Sequence, residues 1–435
     1  MGCDMVVALP AATADRRTLF GFNSDRSVRA GHPLHRTLGR EHATGEKLHT
    51  STIELPQAHQ TYTALGSQPV GWWGYTHGLN EHGLAIGHTA LCNRLRSTRP
   101  GLTSGDLTRL VLERCRSARQ AVDCLTALIE RHGQCPPPTD PTSSANYDYL
   151  IADPTEAFSV ETAGHYWACQ EAQQVKAGSN VCLIRQDWDR ISPGLADRAI
   201  REGWWAGDGS KLDFAGALAE CPVGESSGLR RWGRATLLLE QQNGHVDANY
   251  LRNLLCDHYE GTHFEIDQRS PVPGPVPICQ HARGATAGGT TLSLVAELAV
   301  DPPRVGMVWC AFGPPCSSVY FPFPFDADPP RPFALGDTEP DTREFWRRVD
   351  RLAKLVFEQA RVRESFGRLQ SRYELEAEEF ALESNPTRQR SDPARMQHIA
   401  AHFVQHCLEE LEGALATLES DLQLSGSSSV SAIRR

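Results

Sequence analysis

The sequence of 435 residues contains no run of 18 apolar residues, so it offers no segment long enough to be predicted as a transmembrane helix. Its N-terminal segment lacks the basic, apolar and small-residue regions of a secretory signal peptide. A basic stripe is also missing, since the net charge is −10 and charges of both signs are mixed along most of the chain. We therefore expect a cytoplasmic protein that binds neither a membrane nor nucleic acid.

The 13 cysteines do not form the pattern of a disulfide framework, because their number is odd and their spacings are irregular. Most are expected to be reduced and to pack as small apolar side chains. The histidines at 77, 82 and 88 lie five and six residues apart, which suits neither one helix face nor a recognised zinc motif. We therefore expect no metal and no cofactor.

One cysteine has a distinctive setting. Cys3 is followed by an apolar run to Leu9 and a polar turn, and the segment 19–26 then predicts the return strand of a hairpin that carries Asp25 and Arg26 back toward Cys3. If processing exposed Cys3 as the first residue, its thiol would be a nucleophile. Its α-amine, with a pKa of roughly 7.7–8.0, would be a general base held by Asp25. The alternatives are a core cysteine and a turn with a surface salt bridge.

A glycine-rich segment, 72–89, contains a second candidate group. Glycines bracket Asn80, Glu81 and His82, as in a tight turn between two strands. Asn80 could therefore serve only the geometry of the turn, whereas a polar side chain just after the second strand could reach the reacting carbonyl of a substrate.

The remaining pattern predicts mixed α and β structure followed by a helical appendage. Helices are expected at 101–114, where Thr103-x-x-Asp106 resembles a capping box, and from Ser117 to a stop at Gly133. Strands are expected at 147–151, 157–162, 165–168, 276–281 and 306–312, and further helices around 193–202, 231–242 and 247–259.

Prolines crowd residues 321–341 and predict a linker or a wrapped arm. A long amphipathic helix should run from Asp341 through Tyr373, another should begin at Asp392, and the serine-rich end is expected to be disordered. We therefore divide the chain into an α+β domain at 1–335, a helical extension at 336–424 and a tail at 425–435.

Several motifs resemble the secernin family in order and spacing. They are Cys3-Asp4, Gly21-x-Asn-Ser-Asp-Arg26, Trp73-Gly-x-x-x-Gly-x-Asn-Glu-His-Gly83, Asp148-Tyr-Leu-Ile-Ala-Asp153, Glu156-Ala-x-x-Val-Glu161, Gly203-Trp-Trp205 and Ile278-Cys-Gln-His281. The likeness runs from residue 1 to about residue 420. Secernins are related to cysteine dipeptidases of the N-terminal-nucleophile (Ntn) hydrolase superfamily, and more distantly to penicillin V acylases and bile salt hydrolases. The resemblance implies an α+β fold, an αββα sandwich of two antiparallel sheets flanked by helices, with a C-terminal helical extension.

The resemblance also implies roles for individual residues. Cys3 matches the nucleophile, and Asp25 matches the acid that contacts its amine. Asn180 falls where related hydrolases place an Asn near the substrate carbonyl. Asn80 and Arg26 are expected to bind substrate.

An arginine completes the predicted site. Arg231 matches an active-site arginine of the family, with Arg230 and Arg234 as alternatives. Its charge is expected to favour the thiolate and to orient neighbouring carboxylates.

Three positions depart from the family pattern. Phe22 stands where relatives have Lys or Arg, so one active-site cation is missing. His88 stands where many relatives have an oxyanion-hole Asn, and we expect its neutral imidazole to donate the hydrogen bond instead. Gly2 precedes Cys3, so the α-amine of Cys3 is exposed only after Gly2 is removed.

These observations favour a cysteine hydrolase that cuts an amide bond in a dipeptide or small acyl-amide through an acyl-thioester. The departures leave two alternatives. One is a non-hydrolytic scaffold whose helical tail recruits partners or forms a homo-oligomer. The other is an acyltransferase, in which a nucleophile other than water resolves the thioester.

Overall fold

The computed structural model describes most of the chain in eleven segments and three further single positions. The segments are residues 2–27, 33–95, 100–140, 143–220, 227–265, 275–282, 288–302, 304–329, 333–334, 340–383 and 416–417, and the single positions are 409, 413 and 420. In this part of the chain no helix combines the length and the apolar character needed to cross a bilayer.

Two antiparallel sheets form the centre of the molecule, with strands numbered in chain order. In spatial order the first sheet contains β12 (Val175–Gly178), β1 (Asp4–Ala8), β2 (Thr18–Ser27), β14 (Gly288–Leu298), β15 (Val305–Phe312) and β16 (Phe321–Pro324). The second contains β13 (Arg190–Ile191), β11 (Tyr166–Glu171), β10 (Ala157–Ala163), β9 (Tyr147–Ala152), β8 (Ala85–Ala90), β7 (His77–Asn80), β6 (Ala64–Ser67) and β3 (Leu34–Thr37). A separate hairpin pairs β4 (Lys47–His49) with β5 (Glu54–Pro56).

The first two helices begin and end where their capping residues predict. Helix α1 (Ser104–Arg114) has Thr103 as N-cap, and Thr103 and Asp106 form both hydrogen bonds of a capping box. Helix α2 (Ala118–His132) has Ser117 as N-cap and Gly133, with φ 71°, as C-cap. The next helices are α3 (Leu195–Arg201), α4 (Phe214–Leu218), α5 (Ser227–Gln241) and α6 (Ala248–Leu255). The predicted hairpin is also confirmed, with Asp4 opposite Asn23 in the β1–β2 register.

Alternation of side chains along the strands divides the core into layers. Between the sheets, Met5 and Phe20 pack in one cluster with Leu79 and Leu150. Outside the second sheet, side chains of α1 and α2 pack on the opposite faces of β8 and β9. Outside the first sheet, side chains of α5 and α6 pack on β1 and β2. The order helix, sheet, sheet, helix confirms the αββα sandwich.

Two sequence predictions of local structure are wrong. Residues 276–281 are not a strand, because their backbone hydrogen bonds go to scattered partners. Asn23 Nδ2 donates to Ile278 O at 3.1 Å, and Gln280 N donates to Thr290 Oγ1 at 3.0 Å. Cys279 N donates to Asp257 O at 3.2 Å. The single long helix is instead two, α7 (Pro340–Glu358) and α8 (Ala360–Glu383). Apolar residues on both sides of the break bury one another, and Arg363 donates to two carbonyls at the end of α7.

The C-terminal helices lie against the sandwich. Tyr373 is buried in the core between the sheets, and Ala377 and Phe380 pack in the outer core of the first sheet. The domain boundary at 335 remains a prediction. The helix expected from Asp392 and the serine-rich tail lie almost wholly outside the described residues.

Phe22 occupies a space that a glycine on the opposite sheet provides. A Cβ at Gly87 would overlap Phe22 Cδ2 and Cε2, far inside the distance at which carbon atoms touch. The ring also stacks on His77, with centroids 4.3 Å apart and planes 20° apart. The apolar residue at the position of the family's cation is therefore packed tightly between the sheets.

We predict that Gly87→Ala lowers the free energy of unfolding by about 1–3 kcal/mol, the usual cost of overpacking a core. Adding Phe22→Val in the double variant should recover part of that loss, because the smaller side chain leaves room for the new methyl group. Urea denaturation of both single variants and the double variant measures this coupling.

Gly306→Ala is the matched control, since a Cβ at this strand glycine would meet nothing closer than 3.5 Å. It should leave the stability unchanged or slightly raised. Strictly additive effects of Gly87→Ala and Phe22→Val would contradict the proposed contact.

Candidate active site

Cys3 lies at the start of the first strand, next to the middle of the sheet. Its side chain is 8% exposed and belongs to the core between the two sheets. Its carbonyl oxygen accepts a hydrogen bond from Thr89 Oγ1 at 3.2 Å, which ties it to β8 of the second sheet. The thiol is therefore held between the sheets, while the next residue, Asp4, faces the helices.

Asp25 is held by two side chains beside the peptide bond that precedes Cys3. Thr290 Oγ1 donates to Asp25 Oδ1 at 2.7 Å, and Gln280 Nε2 donates to Asp25 Oδ2 at 2.5 Å. The same Gln280 nitrogen lies 2.9 Å from the carbonyl oxygen of Gly2. The register between β14 and β2 shifts just after Thr290, at a bulge that directs its hydroxyl toward Asp25.

Arg231 joins this region from the first turns of α5. Its Nε donates to the two carboxylate oxygens of Asp4 at 3.1 and 2.9 Å. Its Nη2 donates to Ser179 Oγ at 3.0 Å and to Asn180 Oδ1 at 2.7 Å. The Asp4 and Arg231 side chains are each 2% exposed, so the ion pair is shielded from water.

The structure selects Arg231 among the three candidate arginines. Arg234 pairs instead with Asp257, with Nη2 and Oδ2 2.6 Å apart. Arg230 is exposed on the surface of α5. Arg231 is therefore the arginine that reaches the backbone next to Cys3.

Asn180 lies directly against Gly2. A Cβ on Gly2 would overlap both Asn180 Oδ1 and Arg231 Nη2. The amide nitrogen of Asn180 points the other way and donates to Thr89 Oγ1 at 2.6 Å and Ala90 O at 2.8 Å. In this arrangement Asn180 offers an acceptor toward residue 2, and only a residue without a side chain fits there.

Burial controls the protonation of the site. It raises the pKa of the Cys3 thiol to about 11, with the Asp25 carboxylate as the second cause, while the charge of Arg26 opposes the shift. Burial and the Asp4 charge raise the pKa of Asp25 well above its usual range. With Gly2 attached, the thiol is therefore protonated at neutral pH.

Arg26 approaches the site from the same strand as Asp25. Its guanidinium carbon lies 4.7 Å from the centre of the Trp72 ring, a cation–π contact. The charge of Arg26 opposes the rise in the pKa of Cys3. The pKa of His77 is lowered to about 3, mainly by burial and secondly by the charge of Arg26. Arg26 therefore supplies a positive charge near the thiol, although Phe22 takes the place of the family's cation.

Two predicted site residues do not join the hydrogen-bond network of Cys3. His88 Nδ1 lies 3.0 Å from Thr108 Oγ1 of α1, on the face of β8 opposite Thr89. Asn80 Nδ2 donates to the carbonyls of Leu112 and Cys115, both at 2.8 Å. The Asn80 side chain thus ties its turn to the end of α1, and Thr89 is the residue of β8 that contacts Cys3.

Sequence reasoning missed five residues of the network, namely Asp4, Thr89, Ser179, Gln280 and Thr290. Asp4 and Gln280 stand within family motifs, and Thr89 and Ser179 are neighbours of predicted site residues, so proximity in sequence was the available signal for these four. Thr290 carried no signal, because its role depends on the strand register and the bulge.

The layers define the class of fold, an αββα sandwich, and Cys3 lies at the start of a strand of its first sheet. Residues 41–175, less than a third of the chain, match the family model described as acyl-coenzyme A:6-aminopenicillanic acid acyl-transferase. That segment includes Thr89 and His88 but not Cys3, Asp25 or Arg231.

Three solved structures are similar to this chain at low sequence identity. A mutant of conjugated bile acid hydrolase from Clostridium perfringens is 13% identical over 72% of this chain and 89% of its own, with a TM-score of 0.40. Penicillin V acylase from Agrobacterium tumefaciens is 14% identical over 74% and 86%, with a TM-score of 0.37. The Caenorhabditis elegans ortholog of N-acylethanolamine-hydrolyzing acid amidase is 10% identical over 69% and 95%, with a TM-score of 0.33. The likeness to secernins remains a prediction.

We predict that Arg231→Met lowers the free energy of unfolding by about 3–5 kcal/mol near neutral pH, because it leaves the Asp4 carboxylate buried without its cation. Burial already raises the pKa of Asp4, with Arg231 opposing the shift, and the substitution raises that pKa further. Relative to wild type, the penalty is therefore absent below the folded pKa of wild-type Asp4, where this carboxyl is protonated in both folded proteins. It grows as the pH rises from there and is complete above the folded pKa of Asp4 in the variant.

Urea denaturation between pH 4 and pH 8 measures this effect (the unfolded Asp has a pKa of about 3.9). The double variant Asp4→Asn/Arg231→Met should be more stable at pH 8 than Arg231→Met alone. Arg368→Met is the control, because its pair with Glu364 is 69% and 75% exposed and should be worth less than about 1 kcal/mol. A loss of stability that does not change with pH would contradict the assignment.

Proposed function

We propose that this protein is a secernin-like cysteine amidohydrolase that cleaves the amide bond of a dipeptide or small acyl-amide. One observation carries the proposal. The peptide bond before Cys3 is surrounded by polar side chains from four separate segments, those of Asp25, Gln280, Asn180 and Arg231. A merely structural cysteine needs no such convergence of buried polar groups around its backbone.

The proposed active form begins at Cys3, with the new α-amine beside Asp25. That ammonium group would lower the raised pKa of Asp25, and the carboxylate would in turn hold the amine in place. The neutral amine then takes the proton of the thiol, and Sγ attacks the carbonyl carbon of the substrate. The C–N bond breaks as the ammonium returns its proton to the leaving amine, which produces an acyl-thioester.

Water completes the cycle with the same groups. The α-amine removes a proton from the water, whose oxygen forms a bond to the acyl carbon. The C–S bond breaks, and the proton returns to Cys3 as the acid leaves. Arg231 orients Asp4, Ser179 and Asn180 through its hydrogen bonds and need not touch the reacting atoms.

Gln280 is the best-placed donor for the oxyanion, because its Nε2 already lies 2.9 Å from the Gly2 carbonyl oxygen. Asn180 acts as such a donor only if its amide turns, since its nitrogen is engaged with Thr89 and Ala90. The predicted role of His88 requires a rearrangement of its contact with Thr108.

The same groups support a priming reaction at the bond between Gly2 and Cys3. Attack of Cys3 Sγ on the Gly2 carbonyl carbon would place negative charge on an oxygen that accepts from Gln280. The C–N bond between Gly2 and Cys3 would then break as the Cys3 nitrogen takes the proton of the thiol, which leaves a thioester. Hydrolysis of the resulting thioester would release residue 2 and everything before it, and it would expose the amine of Cys3.

Two alternative functions each have a specific observation in their favour. The match to an acyl-transferase family model favours acyl transfer to an amine acceptor. The buried Phe22 and the close fit of Gly2 favour a scaffold, in which Cys3 is never exposed. For all three functions we propose a cytoplasmic location, and we propose that the C-terminal helices mediate homo-oligomer formation.

The test is pre-steady-state kinetics with protein shown to begin at Cys3, on panels of dipeptides and acyl-amides. We predict a burst of amine product equal to one equivalent of enzyme, followed by slower turnover. Cys3→Ala should abolish both phases. Added amine acceptors separate the two reactions, because an acyltransferase would form a new amide in place of the free acid.

Cys310→Ala is the control, since Cys310 is also a buried thiol of the core between the sheets. It should retain the burst. If neither panel gives a burst from protein that begins at Cys3, the hydrolase proposal is wrong.

A further inference from the structure

A second cluster of reactive side chains lies outside the network of Cys3. His258 follows α6, Cys279 and His281 belong to the irregular segment 275–282, and Cys316 lies in a short 3₁₀ turn, Pro315–Ser317. One ligand atom from each residue lies within 4.8 Å of the other three. We propose that these four side chains bind one zinc ion.

The distances suit a tetrahedral ion. His258 Nε2 and His281 Nε2 are 3.1 Å apart, His281 Nε2 and Cys316 Sγ are 3.1 Å apart, and Cys279 Sγ lies 3.8 Å from His281 Nε2. Zinc bonds of about 2.0–2.1 Å to nitrogen and 2.3 Å to sulfur place tetrahedral ligands roughly 3.3–3.8 Å from one another. The side chains therefore converge with little movement needed.

His258 has the hydrogen bond that fixes the tautomer a zinc ligand needs. Glu260 Oε1 lies 3.1 Å from His258 Nδ1, and because an ionised carboxylate only accepts, His258 Nδ1 carries a proton. In the neutral imidazole the lone pair is then on Nε2, the atom that lies 3.1 Å from His281 Nε2 within the cluster.

The surroundings are those of a structural zinc site. Cys279 is fully buried and His258 is 9% exposed, while His281 and Cys316 are partly exposed. The Phe357 ring of α7 stacks on His281, with centroids 4.3 Å apart. Glu260 accepts a hydrogen bond from His258 Nδ1, and in zinc sites such a carboxylate fixes the orientation of the ligand histidine. Two cysteines and two histidines in a tetrahedron are the ligands that zinc prefers.

The ion would also stabilise the candidate active site. Gln280 lies between the two ligands Cys279 and His281, and its amide is the group that contacts Asp25 and Gly2. A zinc ion would fix this irregular segment against the residue that follows α6 and against the 3₁₀ turn, and it would therefore fix Gln280. The absence of a metal expected from the sequence rests on histidines 77, 82 and 88, and none of these belongs to the cluster.

The test uses the full chain, with zinc alone as the probe. Protein loaded with Zn²⁺ and then desalted should contain one equivalent by mass spectrometry of the metal, and removal of that zinc should lower the Tm. Replacement by Co²⁺ should give intense visible bands of a tetrahedral site and a thiolate-to-cobalt charge-transfer band. These measurements on the wild-type chain detect metal binding directly, so their outcome is independent of whether the protein is an enzyme.

The variants Cys279→Ser and Cys316→Ser should each lose most of the zinc, and the cobalt complex should lose charge-transfer intensity. Cys256→Ser is the matched control, because this thiol lies at the end of α6 near the cluster but is not one of the four ligands. It should keep the full equivalent of zinc. The proposal is overturned if the wild-type chain retains no more zinc than Cys279→Ser, or if Cys256→Ser loses it.

Discussion

The buried ion pair between Asp4 and Arg231 is the interaction on which the geometry around Cys3 depends. It joins the first residue of β1 to α5, and the remaining donors of Arg231 hold Ser179 and Asn180, which follow β12. Both side chains have lost their water, so neither tolerates the loss of the other. The start of the first strand, a turn and a helix are therefore fixed together at the position where residue 2 lies.

Successive side chains of a strand point to opposite faces of the sheet, so Cys3 and Asp4 lie in different surroundings. Cys3 faces the core between the sheets, where burial keeps its thiol protonated, and Asp4 faces the helices, where it meets its cation. The peptide bond before Cys3 lies between the core of the sandwich and the layer of helices. Asp25, Gln280 and Thr290 gather at this backbone, which is where an α-amine would appear after cleavage.

Local signals in the sequence predicted much of the fold. The capping box at Thr103, the stop at Gly133 and the β1–β2 hairpin need only neighbouring residues, and the αββα order came from the family resemblance. Residues 276–281 could not be predicted, because their backbone pairs with side chains that are distant in sequence. The break between α7 and α8 depends on tertiary packing in the same way.

Four site residues predicted from motifs lie together in space: Cys3, Asp25, Asn180 and Arg231. Their role in catalysis remains a prediction. Asn80 was chosen from a turn motif, and its amide proved to hold the end of α1. The proposed zinc cluster has no sequence motif that would predict it. Its four ligands come from three segments that are distant in sequence and meet only through tertiary packing.

The central claim is that Cys3 becomes the first residue of the working protein. Intact mass and N-terminal sequence of the purified wild-type chain test it most directly, with Cys3→Ala analysed in parallel. The account predicts that the wild-type chain begins at Cys3, whereas the Cys3→Ala chain retains Gly2. A wild-type chain that hydrolyses an amide while Gly2 is still attached would contradict it.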